Sequence, residues 1–364
     1  MAQLFAEYGI FLLKVVTFVI AAMVLIFFAV SMSMRGKRSA SVGSIEVTKL
    51  NDQLEKMEDA LSFSLLDPIN QKMALKERKK EDKAKHKQDK IAAKKASKQR
   101  GSGETLVEEP QAKRVFVMDF DGDVRASAVE NMRHEITAVL SSATSDDEVV
   151  LKLESGGGMV TSYGLAAAQL DRIRSNKIPL TVCVDKVAAS GGYMMACVAD
   201  KLVAAPFAVV GSIGVVAQIP NFHRLLKKMD IDFELLTAGK FKRTLTLFGE
   251  NTDEGRDKFL EDIEKIHDQF KNYVDTRRPK LDIDTVATGE IWSGQDAVDI
   301  QLVDELVTSD EYLMKACEDS DVIYVKYKEK KPLMERFSVG VQNTVDGVFM
   351  KALDRVLKSR WSIS

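Results

Sequence analysis

The sequence predicts an α/β fold, in which repeated strand and helix units surround a parallel sheet. One membrane-spanning helix and a charged arm, helical or disordered, precede it. Three observations lead there. From Lys113 onward, short β-rich runs alternate with helical segments of about 10 to 17 residues, the pattern of βα units. Residues 15–34 run for 20 positions without a charge. The charge is also unevenly placed: residues 72–100 carry +9 and residues 1–71 carry −1, which leaves −10 for residues 101–364 out of an overall −2. At 364 residues the chain is long enough for one α/β domain of about 200 to 250 residues with extensions. A hydrophobic share of 45% excludes disorder throughout.

At 1.5 Å per residue, the uncharged run spans roughly 30 Å, the thickness of a bilayer's hydrocarbon core. A cleavable signal peptide calls for a basic start and a shorter apolar run. Here the basic cluster Arg35, Lys37 and Arg38 follows the run instead, so the segment reads as a retained anchor that meets the lipid through residues 10–34. The same cluster places the rest of the chain on the cytoplasmic side. Residues 45–66 set Leu50, Leu54, Met57, Leu61 and Leu65 at helical spacing and stop at Asp67 and Pro68, predicting an amphipathic helix. The basic stretch 72–100 has no wide apolar face and reads as a solvated or disordered arm, with anionic headgroups as a second reading. Residues 101–111 form a linker.

The βα region follows. Its strands are expected at RVFVMDF, EVVLKLE, PLTVCVD, KLVAA and GSIGVV, and its helices near 126–142, 163–175, 191–199 and 253–278. IWSGQDAVDIQLVDEL and a strand near 322–327 close it. Residues 334–361 place Phe337, Val341, Val345, Val348 and Phe349 on one face of a terminal amphipathic helix, suited to an oligomer interface or to a membrane surface. The expected domains are therefore 1–38 anchor, 39–112 polar linker, 113–330 catalytic domain and 331–364 amphipathic helix.

The acidic body argues against nucleic acid as a partner, because a cleft that grips phosphates needs net positive charge. Three cysteines, Cys183, Cys197 and Cys317, without CxxC spacing give neither a disulfide framework nor a zinc site. No metal and no cofactor is expected.

Glycine-rich turns stand at three predicted strand ends: ESGGGMV, ASGGYMMA and VVGSIGVV. Such turns crowd backbone N–H groups around a small volume, which suits an anion or a developing oxyanion. None fits GxGxxG, GxxxxGK[ST] or GxSxG, which disfavours a nucleotide site and an α/β-hydrolase elbow. Ser190 stands between an apolar strand and a glycine pair opening an apolar helix, a place for a nucleophile. Four histidines offer few bases: His86 lies in the basic arm, His134 and His267 on polar helices, and His223 after the third turn. Lysine serves as a base when burial holds its amine neutral. The run LLTAGKFKRTLTLFGE offers Lys240 and Lys242 among apolar residues, although a lysine there is more often a surface residue.

The run ASGGYMMACVADKLVAAPFAVVGSIGVV, GKFK 52 residues beyond Ser190, and IWSGQDAVDIQLVDEL resemble the signal peptide peptidase A family of serine proteases. The resemblance spans about residues 113–305. It implies the Clp protease/crotonase fold, a superhelix of repeated ββα units, and a bacterial inner-membrane endopeptidase acting on signal peptides or other membrane-protein fragments, reached often from the periplasmic side. Ser190 then matches the nucleophile, Lys242 the general base, and Ser212 the serine that orients that lysine. Gly157 and the N–H of Gly191 match the oxyanion hole, and Lys240 competes for the role of base. Gly156 stands where the family has proline, which loosens the loop. The family's rings imply a homo-oligomer. An acyl-CoA enzyme of the crotonase type and a catalytically silent membrane scaffold are the alternatives. The first would survive Ser190→Ala, and the second would assemble without regard to Ser190 or Lys242.

Overall fold

Val115, Phe116, Val117 and Met118 are consecutive, apolar and buried, as a strand with both faces covered must be. They lie in β2 (Arg114–Gly122), and the same holds along β3 (Glu148–Ser155) and β4 (Leu180–Val184). In the computed structural model, which describes residues 14, 17, 43–67 and 113–329, ten strands form one sheet. Its main path runs β1 (Ser44–Lys49), β10 (Asp321–Lys328), β2, β3, β4, β6 (Lys201–Ala204) and β9 (Glu305–Leu306). A branch leaves β3 through β5 (Val187–Ala189) to β7 (Val209–Gly211) and β8 (Ile291–Ser293). The pairings from β10 to β9 and from β3 to β7 are parallel, and β7 with β8 is antiparallel.

Helices cover both faces. Phe116, Met118 and Phe120 face α2 (Val129–Leu140) and α3 (Val160–Ser175) in the larger core. Val115, Val117, Val150, Cys183 and Val203 face the other way, with Leu313 of α9 (Ser309–Asp319) and Val322. Between these come α4 (Gly191–Ala196), α5 (His223–Lys228), α6 (Asp253–Arg277), α7 (Ile283–Val286) and α8 (Gly294–Asp299). Side-chain hydroxyls fix three helix starts: Thr252 accepts from Gly255 N, Ser293 from Asp296 N and Thr308 from Glu311 N.

The structure changes the reading of residues 45–66. Their first part is the strand β1, whose alternating Ile45 and Val47 suit a sheet edge, and only α1 (Leu50–Ser64) is helical. The described residues from Ile45 to Tyr327 fall in one compact unit, so β1 and α1 belong with the sheet, while the rest of the expected linker from 68 to 112 lies outside the described residues. Asn51 ties them down: its amide donates to Cys317 O and Ser320 O, and its Oδ1 accepts from Val322 N at 2.8 Å. Met57, Leu61 and Leu65 of the predicted stripe remain exposed. The strand expected at GSIGVV ends at Gly211, and the run beyond it is irregular up to α5. Among the described residues no helix is long and apolar enough to cross a membrane. The expected anchor lies outside them except for Lys14 and Thr17, and so do the basic arm and the C-terminal amphipathic helix.

Candidate active site

Three strand ends bring the glycine turns together. Ser155, the last residue of β3, pairs with Ala188, and Ala189 pairs with Gly211. The turn after β3, Ser190 after β5 and Ser212 after β7 therefore sit side by side, although they come from three separate motifs. Ser190 has φ 52° and ψ −117°, a conformation that costs a residue with a side chain about 1–3 kcal/mol. Its surroundings hold it there: Ser190 N donates to Gly211 O at 2.7 Å, and Ser190 O accepts from Met194 N at 2.9 Å. The residue is half-buried, and among the described residues its hydroxyl has no hydrogen-bond partner. A strained, strand-terminal serine with an uncommitted Oγ is the arrangement a nucleophile needs.

Gly157 lies against it with φ +86°, and a Cβ there would stand 2.7 Å from Gly191 N and 2.8 Å from Ser190 Cβ. Gly191 is the first residue of α4, so its N–H lies outside the helix's own hydrogen bonds and faces this spot. A Cβ on Gly191 would enter the ring of buried Tyr163 at 2.4 Å. Gly157 N donates to Ser155 Oγ at 3.1 Å. By contrast, a Cβ on Gly156 would meet nothing within 4 Å, so the position of the family's proline is open space.

Ser212 has φ 51°, is half-buried, and donates its N–H to Glu290 O at 2.6 Å. Gly211 before it, at φ +98°, carries the ring of Trp292, whose Cε3 would stand 2.6 Å from an added Cβ. The IWSG motif thus clamps the turn that presents Ser212. His267, which sequence reading set aside, supports it too: its Nε2 lies 3.2 Å from Ile213 O. The signal was its place three and seven residues before Phe270 and Val274, the buried apolar side chains of α6.

Lys242, which the resemblance implies as the base, is exposed, as the run itself suggested, and no hydrogen bond joins it to Ser190 or Ser212. Its apolar neighbours are exposed as well, Leu236 at 89% and Phe241 at 46%, although the start of α6 reaches the arm through Glu254 and Lys258. Lys240 is bound to Glu254 Oε1 at 2.6 Å and lies over the Phe241 ring. Of the histidines, His134 stacks on Tyr327 and His223 opens α5 beside Asn221. Burial pushes the thiols of Cys183 and Cys197 up to about 12, so neither offers a thiolate. Among the described residues no group of three or more His, Cys, Asp or Glu could hold a metal ion.

Residues 3–170 match the family model described as peptidase family S49 N-terminal, and residues 172–323 match peptidase family S49. The chain is 48% identical to a probable protease SohB of Haemophilus influenzae, over 91% of each chain. It is 51% identical to a probable protease SohB of Buchnera aphidicola from Acyrthosiphon pisum, over 66% of this chain and 71% of the relative. It is 38% identical to a putative protease SohB of Buchnera aphidicola from Baizongia pistaciae, over 96% and 98%. The chain belongs to peptidase family S49, and within it to the SohB type.

Proposed function

We propose that the protein is a membrane-anchored serine endopeptidase with a Ser190/Lys242 dyad, cleaving signal peptides or other membrane-protein fragments at a bacterial inner membrane. The observation that carries this reading is the strained Ser190 with Gly157 and Gly191 N against it. Neutral Lys242 takes the Ser190 proton, and Ser190 Oγ attacks the scissile carbonyl. The N–H groups of Gly157 and Gly191 receive the oxyanion, and the lysine returns the proton to the leaving amine. Water then releases the acyl group by the same route. The scheme draws on no metal or cofactor.

Burial favours the neutral amine a general base needs, so the dyad requires that the arm bearing Lys242 be covered. Val216, Leu236, Phe233 and Phe241 expose apolar surface here, and a second copy of the chain is the proposed cover. The test is hydrolysis of a fluorogenic apolar peptide by the full chain in detergent. Wild type should cleave it with a rate that rises with pH above neutrality, and Ser190→Ala and Lys242→Ala should each lose at least about a thousandfold. Unchanged turnover in Ser190→Ala would favour the acyl-CoA or scaffold alternative.

A further inference from the structure

A buried hydrogen-bond chain runs from the oxyanion loop back to the end of β2, and the mechanism above does not use it. Gly157 N donates to Ser155 Oγ at 3.1 Å, Ser155 Oγ lies 2.5 Å from Tyr163 Oη, and Tyr163 Oη donates to Asp123 O at 2.7 Å. The tyrosine has one proton and gives it to Asp123. The Ser155 proton therefore goes to Tyr163, and Ser155 Oγ keeps a lone pair for Gly157. The Ser155 hydroxyl has a second, longer acceptor in Gly122 O at 3.4 Å, and with either acceptor its oxygen still receives the Gly157 N–H. Both side chains are buried, Ser155 at 2% and Tyr163 at 0% exposure. The far end is fixed in turn, since the Asp123 carboxylate accepts from Ser127 N and Arg125 N. The Tyr163 ring also sits where a Gly191 Cβ would be, so one side chain touches both proposed oxyanion donors, one through Ser155 and one directly.

We propose that Ser155 and Tyr163 are positioning residues of the oxyanion hole: their hydrogen-bond chain holds the Gly157 peptide beside Ser190, and the developing oxyanion takes the Gly157 N–H over from the Ser155 hydroxyl. The proposal rests on the peptidase reading. A charged oxygen is a stronger acceptor than a neutral hydroxyl, so the transfer occurs only as charge builds up. Without Tyr163 Oη, the Ser155 hydroxyl turns to Gly122 O, now 3.4 Å away, and the Gly157 peptide loses its register.

Tyr163→Phe, Ser155→Ala and the double variant of the full chain are compared with wild type for kcat, KM, melting temperature and amide exchange of the peptide covering residues 154–162. Each single variant should lower kcat about tenfold with KM within about twofold, and should speed exchange in that peptide. The double variant should be no slower than the slower single, because both changes break one chain. Tyr163→Phe keeps the ring against Gly191 and decides the matter if Ser155→Ala fails to fold. Normal kcat in Tyr163→Phe, losses that multiply in the double variant, or losses that follow the melting temperature alone would overturn the proposal. Turnover that survives Ser190→Ala is a different failure, that of the peptidase reading, and amide exchange still reports whether the chain holds the loop.

Discussion

Gly156 and Gly157 are neighbours with opposite tolerances. An alanine at 156 meets nothing and restricts only the unfolded chain, so Gly156→Ala should keep full turnover and gain about 0.4–1 kcal/mol in denaturant unfolding. An alanine at 157 would push on Gly191 N and Ser190 Cβ from a left-handed backbone, and kcat should fall by about a hundredfold or more. Equal effects of the two substitutions on kcat would mean that this loop does not touch the chemistry. At this scale the sequence was informative where the signal is local. Ser190 announces itself by strand, glycine pair and helix in immediate succession, whereas Ser212, Gly157 and Gly191 were named through the family resemblance. Ser155, Tyr163 and His267 do not, since their roles come from partners far along the chain, such as Asp123 for Tyr163 and Ile213 for His267.

Among the elements, β2 and β3 carry the site's weight, and a charged clamp holds their starts. Asp147 and Glu148, buried at 3% and 8% exposure, receive Arg114 and Lys113, with Thr144 on Asp147 and Thr181 and Tyr312 on Glu148. Burial alone would raise both carboxyls, but these hydrogen bonds outweigh it and hold both below their ordinary values. Groups held low stabilise the fold above their unfolded values of about 4 and lose that contribution as pH falls through the lowered ones. Glu135 runs the other way: burial raises its carboxyl, so its contribution is greatest at low pH and fades as pH rises. The melting temperature should fall below about pH 4, and Glu148→Gln should lower it at neutral pH while flattening the acid limb. An acid limb unchanged by Glu148→Gln would remove the clamp from the explanation. Most of these strands were legible as apolar runs, because buried parallel strands have no other composition. The edge strand β1 was not, because Val47, three residues before Leu50, also fits the helical spacing that begins there.

For the whole molecule, the βα alternation fixed the architecture in outline, while the branch β5, β7 and β8 that assembles the site appears only in three dimensions. The role of base for Lys242 came from the family resemblance, and the single chain leaves this lysine and its apolar neighbours exposed. The proposed homo-oligomer would cover this arm. Light scattering in detergent should give a mass of several chains, and Leu236→Glu, at a position 89% exposed in one chain, should lower both that mass and peptide turnover. A wild-type monomer at micromolar concentration would contradict this. The central claim is that Ser190 is the nucleophile. The measurement that tests it most directly is mass spectrometry of the full chain after reaction with a fluorophosphonate. A single adduct on Ser190, slowed strongly in Lys242→Ala, is the predicted result, and an adduct on another residue, or none while the peptide is still cleaved, would contradict it.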